Sequence, residues 1–142
     1  MKIRTKMPSL EGDEQVLNLK KMKQTSGKLT LVYFWSISCK QCEESIEKLK
    51  ELERQFSAEL AIITVHMPRS EQDRELESIK KKAKQLHLEH PIILDHQLRI
   101  TDAFDNRIVP GYYLFDQQKM LRFYRAGFTT TKMLEHKIRR LI

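Results

Sequence analysis

The feature that most constrains the fold of this chain is a nearly continuous apolar run, Leu29–Trp35 (LTLVYFW). A strand with one face in solvent alternates apolar and polar residues, so a run without alternation predicts a strand that is buried on both faces. Residues 60–65 (LAIITV) have the same character. Such strands occur in largely parallel sheets with helices packed on both sides, which predicts an α/β fold.

The segment between these two runs has the period of an amphipathic helix. Its apolar residues recur at spacings of three and four, at Cys39, Cys42, Ile46, Leu49, Leu52 and Phe56. Ser38 and Gln41 match the S-x-x-Q capping box, in which the serine hydroxyl accepts from a free N–H group of the first turn. The sequence therefore predicts a helix that starts at Ser38, with Cys39 as its first helical residue.

Strands and helices continue to alternate in the rest of the chain. A second helix is predicted to start at Ser70, with the apolar stripe Leu76, Ile79, Ala83 and Leu86. Residues 91–95 (PIILD) predict a strand, and residues 97–104 predict a short helix. GYYLF and MLRFYRA, separated by a turn at Gln117 and Gln118, predict a β-hairpin. A last helix is capped by Thr130 or Thr131, and a further strand is expected near residues 14–17.

This order of elements predicts one domain over residues 1–142. Its central sheet is mixed, with parallel strands plus a C-terminal antiparallel hairpin, and helices flank both faces. In such sheets, sites form beyond the carboxyl ends of the strands, and Cys39 follows one of those ends.

Composition restricts the classes of function. The formal net charge is +7, but the densest basic block shares its predicted helix with Glu75 and Glu77 and indicates a solvated face; it comprises Lys80, Lys81, Lys82 and Lys84. Because no nucleic-acid-binding module accompanies it, we expect no nucleic-acid partner. No secretory signal or run of ~20 apolar residues is present, so we expect a cytoplasmic protein that does not bind membranes.

The two cysteines, Cys39 and Cys42, have the CxxC spacing. In the cytosol this spacing indicates catalysis or metal binding rather than a structural disulfide. Residues i and i+3 share a helix face, so the two sulfurs can form a disulfide. The free N–H groups and the dipole at a helix N-terminus favour a thiolate at Cys39. We therefore predict Cys39 as the attacking nucleophile and Cys42 as the resolving cysteine.

Three other interpretations of the pair remain open at this point. A zinc site needs about four ligands, whereas no second CxxC is present and the histidines are dispersed, so we expect no metal. The pair could also be two inert buried thiols, since free cysteine is often buried. The third interpretation is a redox-sensing dithiol without turnover.

The segments FWSISCKQC (34–42) and VPGYYLFDQQKMLRFYRAG (109–127) together resemble the thioredoxin-fold thiol–disulfide oxidoreductases. The helix–strand segment between the cysteines and Pro110 is similar to that of the bacterial TlpA/ResA-like branch. The resemblance implies a thioredoxin-like fold, with Pro110 in a cis peptide bond beside the disulfide. It also implies that the backbone of Val109 pairs with the substrate, and that Trp35 is the family's aromatic residue before the cysteines.

The chain departs from the family pattern around the cysteines. Ser38 and Gln41 stand where many relatives carry Trp and Pro. Thioredoxin carries a buried acid at the position of Tyr33, and ResA-like proteins carry Glu at the position of Ser45. The carboxylate that handles protons in relatives is therefore missing from both places.

Other groups are candidates for handling the proton of the resolving cysteine. His66 ends the second predicted strand, and its ordinary pKa of ~6.5 suits acid–base chemistry. Glu43 is close in sequence. Strand alternation also sends one of Tyr112 and Tyr113 to the core and the other towards the substrate groove.

We therefore predict a protein-disulfide reductase that works as a monomer without a bound cofactor. Its partners are oxidised proteins and an external electron donor such as a thioredoxin system. One alternative is an oxidant or isomerase, because the residues between the cysteines do not fix the potential. The other alternative is a redox-switched binding module.

Overall fold

The computed structural model describes the backbone of residues 1–142 and every side chain except those of Lys23 and Gln24. The strands are β1 (Val16–Leu17), β2 (Leu29–Trp35), β3 (Leu60–His66), β4 (Ile92–Leu94), β5 (Gly111–Phe115) and β6 (Leu121–Ala126). The helices are α1 (Lys40–Phe56), α2 (Leu76–Gln85), α3 (Arg99–Ala103) and α4 (Thr131–Arg139), with 3₁₀ turns at Leu19–Gln24 and Glu71–Arg74.

The six strands form one mixed sheet in the order β1-β4-β3-β2-β5-β6. At its centre, β2 pairs in parallel with β3, from Leu29 opposite Leu60 to Trp35 opposite His66. β4 continues the parallel part, while β5 and β6 form the antiparallel hairpin. The two-residue β1 pairs antiparallel with β4 and closes the other edge. The predicted thioredoxin-like fold, with its mixed sheet flanked by helices, is confirmed.

Every residue of β2 is buried, as its apolar run predicts. An aromatic cluster packs against it, because Phe104 lies edge-on to Phe34 (5.2 Å between ring centroids) and to Tyr113 (5.1 Å). Phe115 lies 5.9 Å from the Phe104 ring on the same side. Edge-to-face aromatic pairs add to the free energy gained from burial, so this cluster anchors β2 and β5 to the segment around α3.

Of two helix starts predicted from the sequence, the start of α4 is confirmed and the start of α2 is wrong. Thr130 caps α4, since its hydroxyl accepts from the N–H of Met133 at 3.0 Å. The second helix does not begin at Ser70, because residues 71–74 form a 3₁₀ turn and α2 begins at Leu76 after a cap by Glu75. No helix among the described residues is long and apolar enough to cross a membrane.

Candidate active site

Cys39 and Cys42 lie between the carboxyl end of β2 and the N-terminus of α1. They are joined by a disulfide, with 5.4 Å between their Cα atoms. The two residues are unequally buried, because Cys39 keeps 6% of its surface exposed whereas Cys42 keeps none. Of the two sulfurs, Cys39 is therefore the one placed nearer to a partner approaching from solvent.

The helix that carries the cysteines starts one residue later than the capping box predicts. α1 begins at Lys40, and its N-cap is Cys39, whose sulfur accepts from the N–H of Cys42 at 3.2 Å. Ser38 does not cap the helix, because its hydroxyl donates to the carboxylate of Asp73 at 2.8 Å. A partner 35 residues away in sequence has thus replaced the local one. Cys39 is the cap residue rather than the first helical residue.

Val109 and Pro110 lie at the same end of the sheet as the cysteines. Phe34 is opposite Gly111 in the β2–β5 register, so the next step of the antiparallel ladder brings Pro110 opposite Trp35. The Val109–Pro110 peptide bond is cis. The carbonyl of Pro110 accepts from the N–H of Gly127 at 2.7 Å, which holds the loop after β6 against the proline.

Asn106 fixes the loop that leads into Pro110. Its side-chain NH₂ donates to the carbonyl of Ile108 at 3.2 Å, and its amide oxygen accepts from the hydroxyl of Tyr113 at 2.9 Å. A Cβ on Gly111 would lie only 2.5 Å from that amide oxygen, so the absence of a side chain there lets Asn106 approach the backbone. No motif in the sequence indicates Asn106, because its partners become neighbours only through the strand register.

Trp35 lies under the site and not on its surface. It is fully buried, its indole N–H donates to Thr64 at 3.2 Å, and its ring is edge-on to His66 at 5.0 Å. Its contacts support the end of β2, so we assign it to holding the site rather than to contacting a substrate.

Of the two candidates for proton handling, His66 is fully buried. Its Nε2 accepts from the backbone N–H of Ile37 at 3.2 Å, which makes Nδ1 the protonated nitrogen of the neutral ring. Burial, which disfavours the charged ring, lowers the pKa of His66 from 6.5 to about 4. The other candidate, Glu43, forms an ion pair with Lys82 at 2.7 Å. Neither side chain contacts a sulfur through any hydrogen bond among the described residues.

We expect the ring of His66 to stay neutral from about pH 5 to 8 and to contribute to acid sensitivity. The unfolded chain takes up this proton near pH 6.5, whereas the folded chain takes it up only near pH 4, as the lowered pKa requires. Stability is therefore lost as the pH falls through this window, by about 3 kcal/mol when the loss is complete. Ring ¹⁵N chemical shifts and urea unfolding at several pH values measure the two effects.

The control for this prediction is His66→Gln, whose amide oxygen can still accept from Ile37 but does not titrate. Its stability should fall less on acidification than that of the parent chain. A ring that titrates near pH 6.5 in the folded protein would contradict the prediction.

Neutral hydroxyl groups lie behind Cys42, at two positions where the family resemblance leads one to expect acids. The hydroxyl of Tyr33 donates to the carbonyl of Cys42 at 3.2 Å, and that of Ser45 donates to the carbonyl of Gln41 at 3.0 Å. Burial raises the pKa of Tyr33 well above its usual value and also raises the pKa of Tyr112, so both phenols stay protonated near neutral pH.

The expectation that one of Tyr112 and Tyr113 lines a substrate groove is wrong, because both are fully buried. Tyr112 packs against Tyr33 with 5.2 Å between ring centroids. Tyr113 packs on the opposite face of β5, against Phe34 at 5.4 Å. Helices cover both faces of the sheet here, so successive side chains of β5 point into the core on one face and then on the other.

Among the described residues, no group of three or more His, Cys, Asp or Glu side chains is arranged to hold a metal ion. The disulfide at the cap of α1, the cis peptide bond before β5 and the mixed sheet are the features that the resemblance in the sequence implies. That resemblance is to the thioredoxin-like thiol–disulfide oxidoreductases, and the fold and the site assign the chain to this class.

The chain belongs to the AhpC/TSA family, whose profile matches residues 3–124. It is 39% identical to the thiol-disulfide oxidoreductase YkuV of Bacillus subtilis, over 100% of this chain and 97% of that protein. It is 24% identical to the thiol-disulfide oxidoreductase ResA of Geobacillus kaustophilus, over 79% of this chain and 62% of that protein.

Among solved structures, a thioredoxin-like protein in the oxidised form superposes with a TM-score of 0.86 at 39% identity. The match covers 99% of this chain and 97% of that one. The resemblance drawn from the sequence motifs is confirmed.

Proposed function

We propose that this protein reduces disulfide bonds in other proteins, with Cys39 as the nucleophile and Cys42 as the resolving cysteine. The observation that carries the proposal is the unequal burial of the two sulfurs at the cap of α1. Cys39 is the more accessible at 6% exposure, and Cys42 is fully buried behind it. A protein substrate can therefore form a mixed disulfide with Cys39, whereas the buried Cys42 can attack only the sulfur of Cys39.

The reaction balances as two thiol–disulfide exchanges. The thiolate of Cys39 attacks one sulfur of the substrate disulfide, and the other sulfur leaves as a thiolate that takes up a proton. Cys42 then loses its proton and attacks the sulfur of Cys39, which releases the second substrate thiol. Two electrons have passed to the substrate, and Cys39 and Cys42 are left as the disulfide. An external dithiol must then reduce this disulfide.

The cap position of Cys39 supports its role as the nucleophile. An ordinary cysteine has a pKa of ~8.5, so only a few per cent is thiolate near neutral pH. Here the sulfur accepts from the N–H of Cys42 at 3.2 Å, and a hydrogen bond to a charged acceptor is stronger than one to a neutral acceptor. The positive end of the α1 dipole adds to this preference for the thiolate.

Two exposed apolar side chains are placed to contact the substrate near Pro110. Ile108, two residues before the proline, is 53% exposed, and Phe128 is 68% exposed. The hydrogen bond from Gly127 to Pro110 keeps their two loops together. We propose that the substrate lies between them and pairs with the backbone of Val109, as the family resemblance implies.

The electron donor we propose is a thioredoxin system, and the compartment is the cytoplasm, where such systems keep dithiols reduced. We also propose that the protein works as a monomer and needs no bound cofactor, because thiol–disulfide exchange requires only the two cysteines.

Insulin reduction driven by dithiothreitol tests the proposed activity. We expect the protein at micromolar concentration to accelerate insulin precipitation well above the rate with dithiothreitol alone, because the Cys39–Cys42 dithiol turns over. Protein whose reduced cysteines have been blocked with iodoacetamide is the control and should give the background rate. No acceleration would reject the reductase in favour of a redox-switched binding module.

A further inference from the structure

Arg69 reaches from the loop after β3 to the residue directly before the reactive cysteine. Its Nη2 donates to the carbonyl of Ser38 at 2.6 Å, and its Nε donates to the hydroxyl of Ser38 at 3.1 Å. A single side chain therefore contacts both the backbone and the side chain of Ser38. This two-point contact fixes the guanidinium as well as the loop.

Asp73 accepts hydrogen bonds from both Ser38 and Arg69. One oxygen of its carboxylate, Oδ2, accepts from the hydroxyl of Ser38 at 2.8 Å and from the backbone N–H of Arg69 at 2.9 Å. Asp73 is buried, at 3% exposure, on the 3₁₀ turn Glu71–Arg74. The three residues form a closed ring of hydrogen bonds, in which a buried carboxylate determines where Arg69 and Ser38 lie.

The guanidinium is therefore a fixed cation close to Cys39. The bond from Arg69 Nη2 to the carbonyl oxygen of Ser38 is 2.6 Å, and that oxygen is about 2.3 Å from the backbone nitrogen of Cys39, so Nη2 is within about 5 Å of this nitrogen. That nitrogen and the sulfur belong to the same residue, so a cation held beside it favours a thiolate over a thiol.

Other charged groups also lie on the elements around Cys39, and one of them, Asp73, contacts Ser38 as directly as Arg69 does but carries the opposite charge. They are Lys40, Glu43 and Glu44 on α1, His66 and Asp73 on the β3 side, and Asp105 and Arg107 before Pro110. Glu43 is paired with Lys82 at 2.7 Å, and Asp105 with Arg107 at 3.1 Å. Lys40 and Arg69 are both exposed, but Lys40 makes no hydrogen bond or ion pair among the described residues, so no contact fixes the position of its charge. Arg69 is the cation that hydrogen bonds hold beside the cysteine.

We propose that Arg69 is a positioning residue for the disulfide exchange: held by Asp73, it fixes Ser38 and stabilises the thiolate of Cys39. The inference deepens the proposed reductase function and rests on it for its biological meaning. It assigns a role to the loop after β3, which otherwise contributes no group to the chemistry. The competing view is that the ring of hydrogen bonds only holds two loops together.

The test is a titration of Cys39 in the Cys42→Ser background, by thiolate absorbance at 240 nm and by the rate of iodoacetamide alkylation. Arg69→Gln is expected to lower the alkylation rate about three- to tenfold at a pH below the thiol pKa, which corresponds to a pKa rise of about half to one unit. Arg54→Gln removes the same charge from a site about 22 Å further along α1 and should leave the rate unchanged.

Asp73→Asn distinguishes positioning from simple charge, because the two effects have opposite signs. Loss of a nearby negative charge alone would lower the pKa of Cys39 and speed alkylation. If Asp73 acts by holding Arg69 and Ser38 in place, its replacement should instead slow alkylation. Faster alkylation in Asp73→Asn would overturn the part of the proposal in which Asp73 holds Arg69.

Arg69→Lys keeps the charge but cannot make both contacts with Ser38, and it should give a rate between those of the parent and Arg69→Gln. It also serves as the test variant if Arg69→Gln does not fold, as judged by circular dichroism. A rate equal to the parent's in the folded Arg69 variant would overturn the proposal. Because alkylation needs no protein substrate, this outcome is independent of whether insulin is reduced.

Discussion

Replacing Cys39 with serine is expected to lower insulin reduction to the rate of dithiothreitol alone. The hydroxyl of serine cannot attack a disulfide near neutral pH, and the fully buried Cys42 cannot reach a protein substrate. Replacing Cys42 with serine should also end turnover, but it should leave the first exchange intact. The mixed disulfide between Cys39 and the substrate then persists, because no second thiol displaces it.

Non-reducing gels and mass spectrometry of the trapped species measure this difference. Cys42→Ser should form adducts with reduction-sensitive linkages through Cys39, and the double variant lacking both cysteines should form none. Adducts that form through Cys42 in the Cys39→Ser protein would reverse the assigned roles. Equal trapping by both single variants would mean that the unequal burial has no consequence for reactivity.

Replacing Phe104 with alanine is expected to lower the free energy of unfolding by about 3–5 kcal/mol. Phe104 is fully buried and has edge-on contacts with the rings of Phe34, Tyr113 and Phe115. The substitution removes a whole ring from this cluster, and the fixed positions of β2 and β5 limit how far the cavity can collapse. Urea unfolding of the oxidised protein, monitored by circular dichroism, measures the loss.

Phe128→Ala is the matched control, because it removes the same ring from a side chain that is 68% exposed. Its contact with the ammonium of Lys48, 4.5 Å from the ring centroid, is at the surface, so we expect a change of about 1 kcal/mol or less. Similar losses in the two variants would show that the aromatic cluster around Phe104 does not anchor the sheet.

The sequence predicts most of the fold because its signals are local. The apolar run of β2 indicates burial on both faces, and the alternation with helices indicates the parallel part of the sheet. Thr130 is a correct cap because its acceptor meets a free N–H three residues later. The capping box misplaces the start of α1 because Asp73, a residue remote in sequence from Ser38, binds the hydroxyl that the box assigns to the helix. The start of α2 lies later than Ser70 because residues 71–74 form a 3₁₀ turn and Glu75 caps the helix.

The site is predictable only in part, because several of its contacts join residues that are remote in sequence. Spacing alone identifies Cys39 and Cys42, and the family resemblance supplies Pro110. Arg69 and Asn106 contact the site through strand order and register, which no short motif encodes. One signal was available for Arg69: it follows β3, whose carboxyl end lies beside that of β2 in a parallel pair.

The cap of α1 links two properties that are usually measured separately. The sulfur of Cys39 accepts a hydrogen bond from the N–H of Cys42, so the same atom stabilises the start of the helix and takes part in the disulfide exchange. Folding and reduction are therefore two sides of one thermodynamic cycle. The cap binds a thiolate more strongly than a disulfide sulfur, and this difference in free energy stabilises the reduced folded protein. It therefore makes the disulfide of the folded protein a stronger oxidant than that of the unfolded chain. Unfolding the oxidised and reduced proteins side by side thus gives the potential of this dithiol relative to the unfolded chain, without an electrode or a glutathione titration.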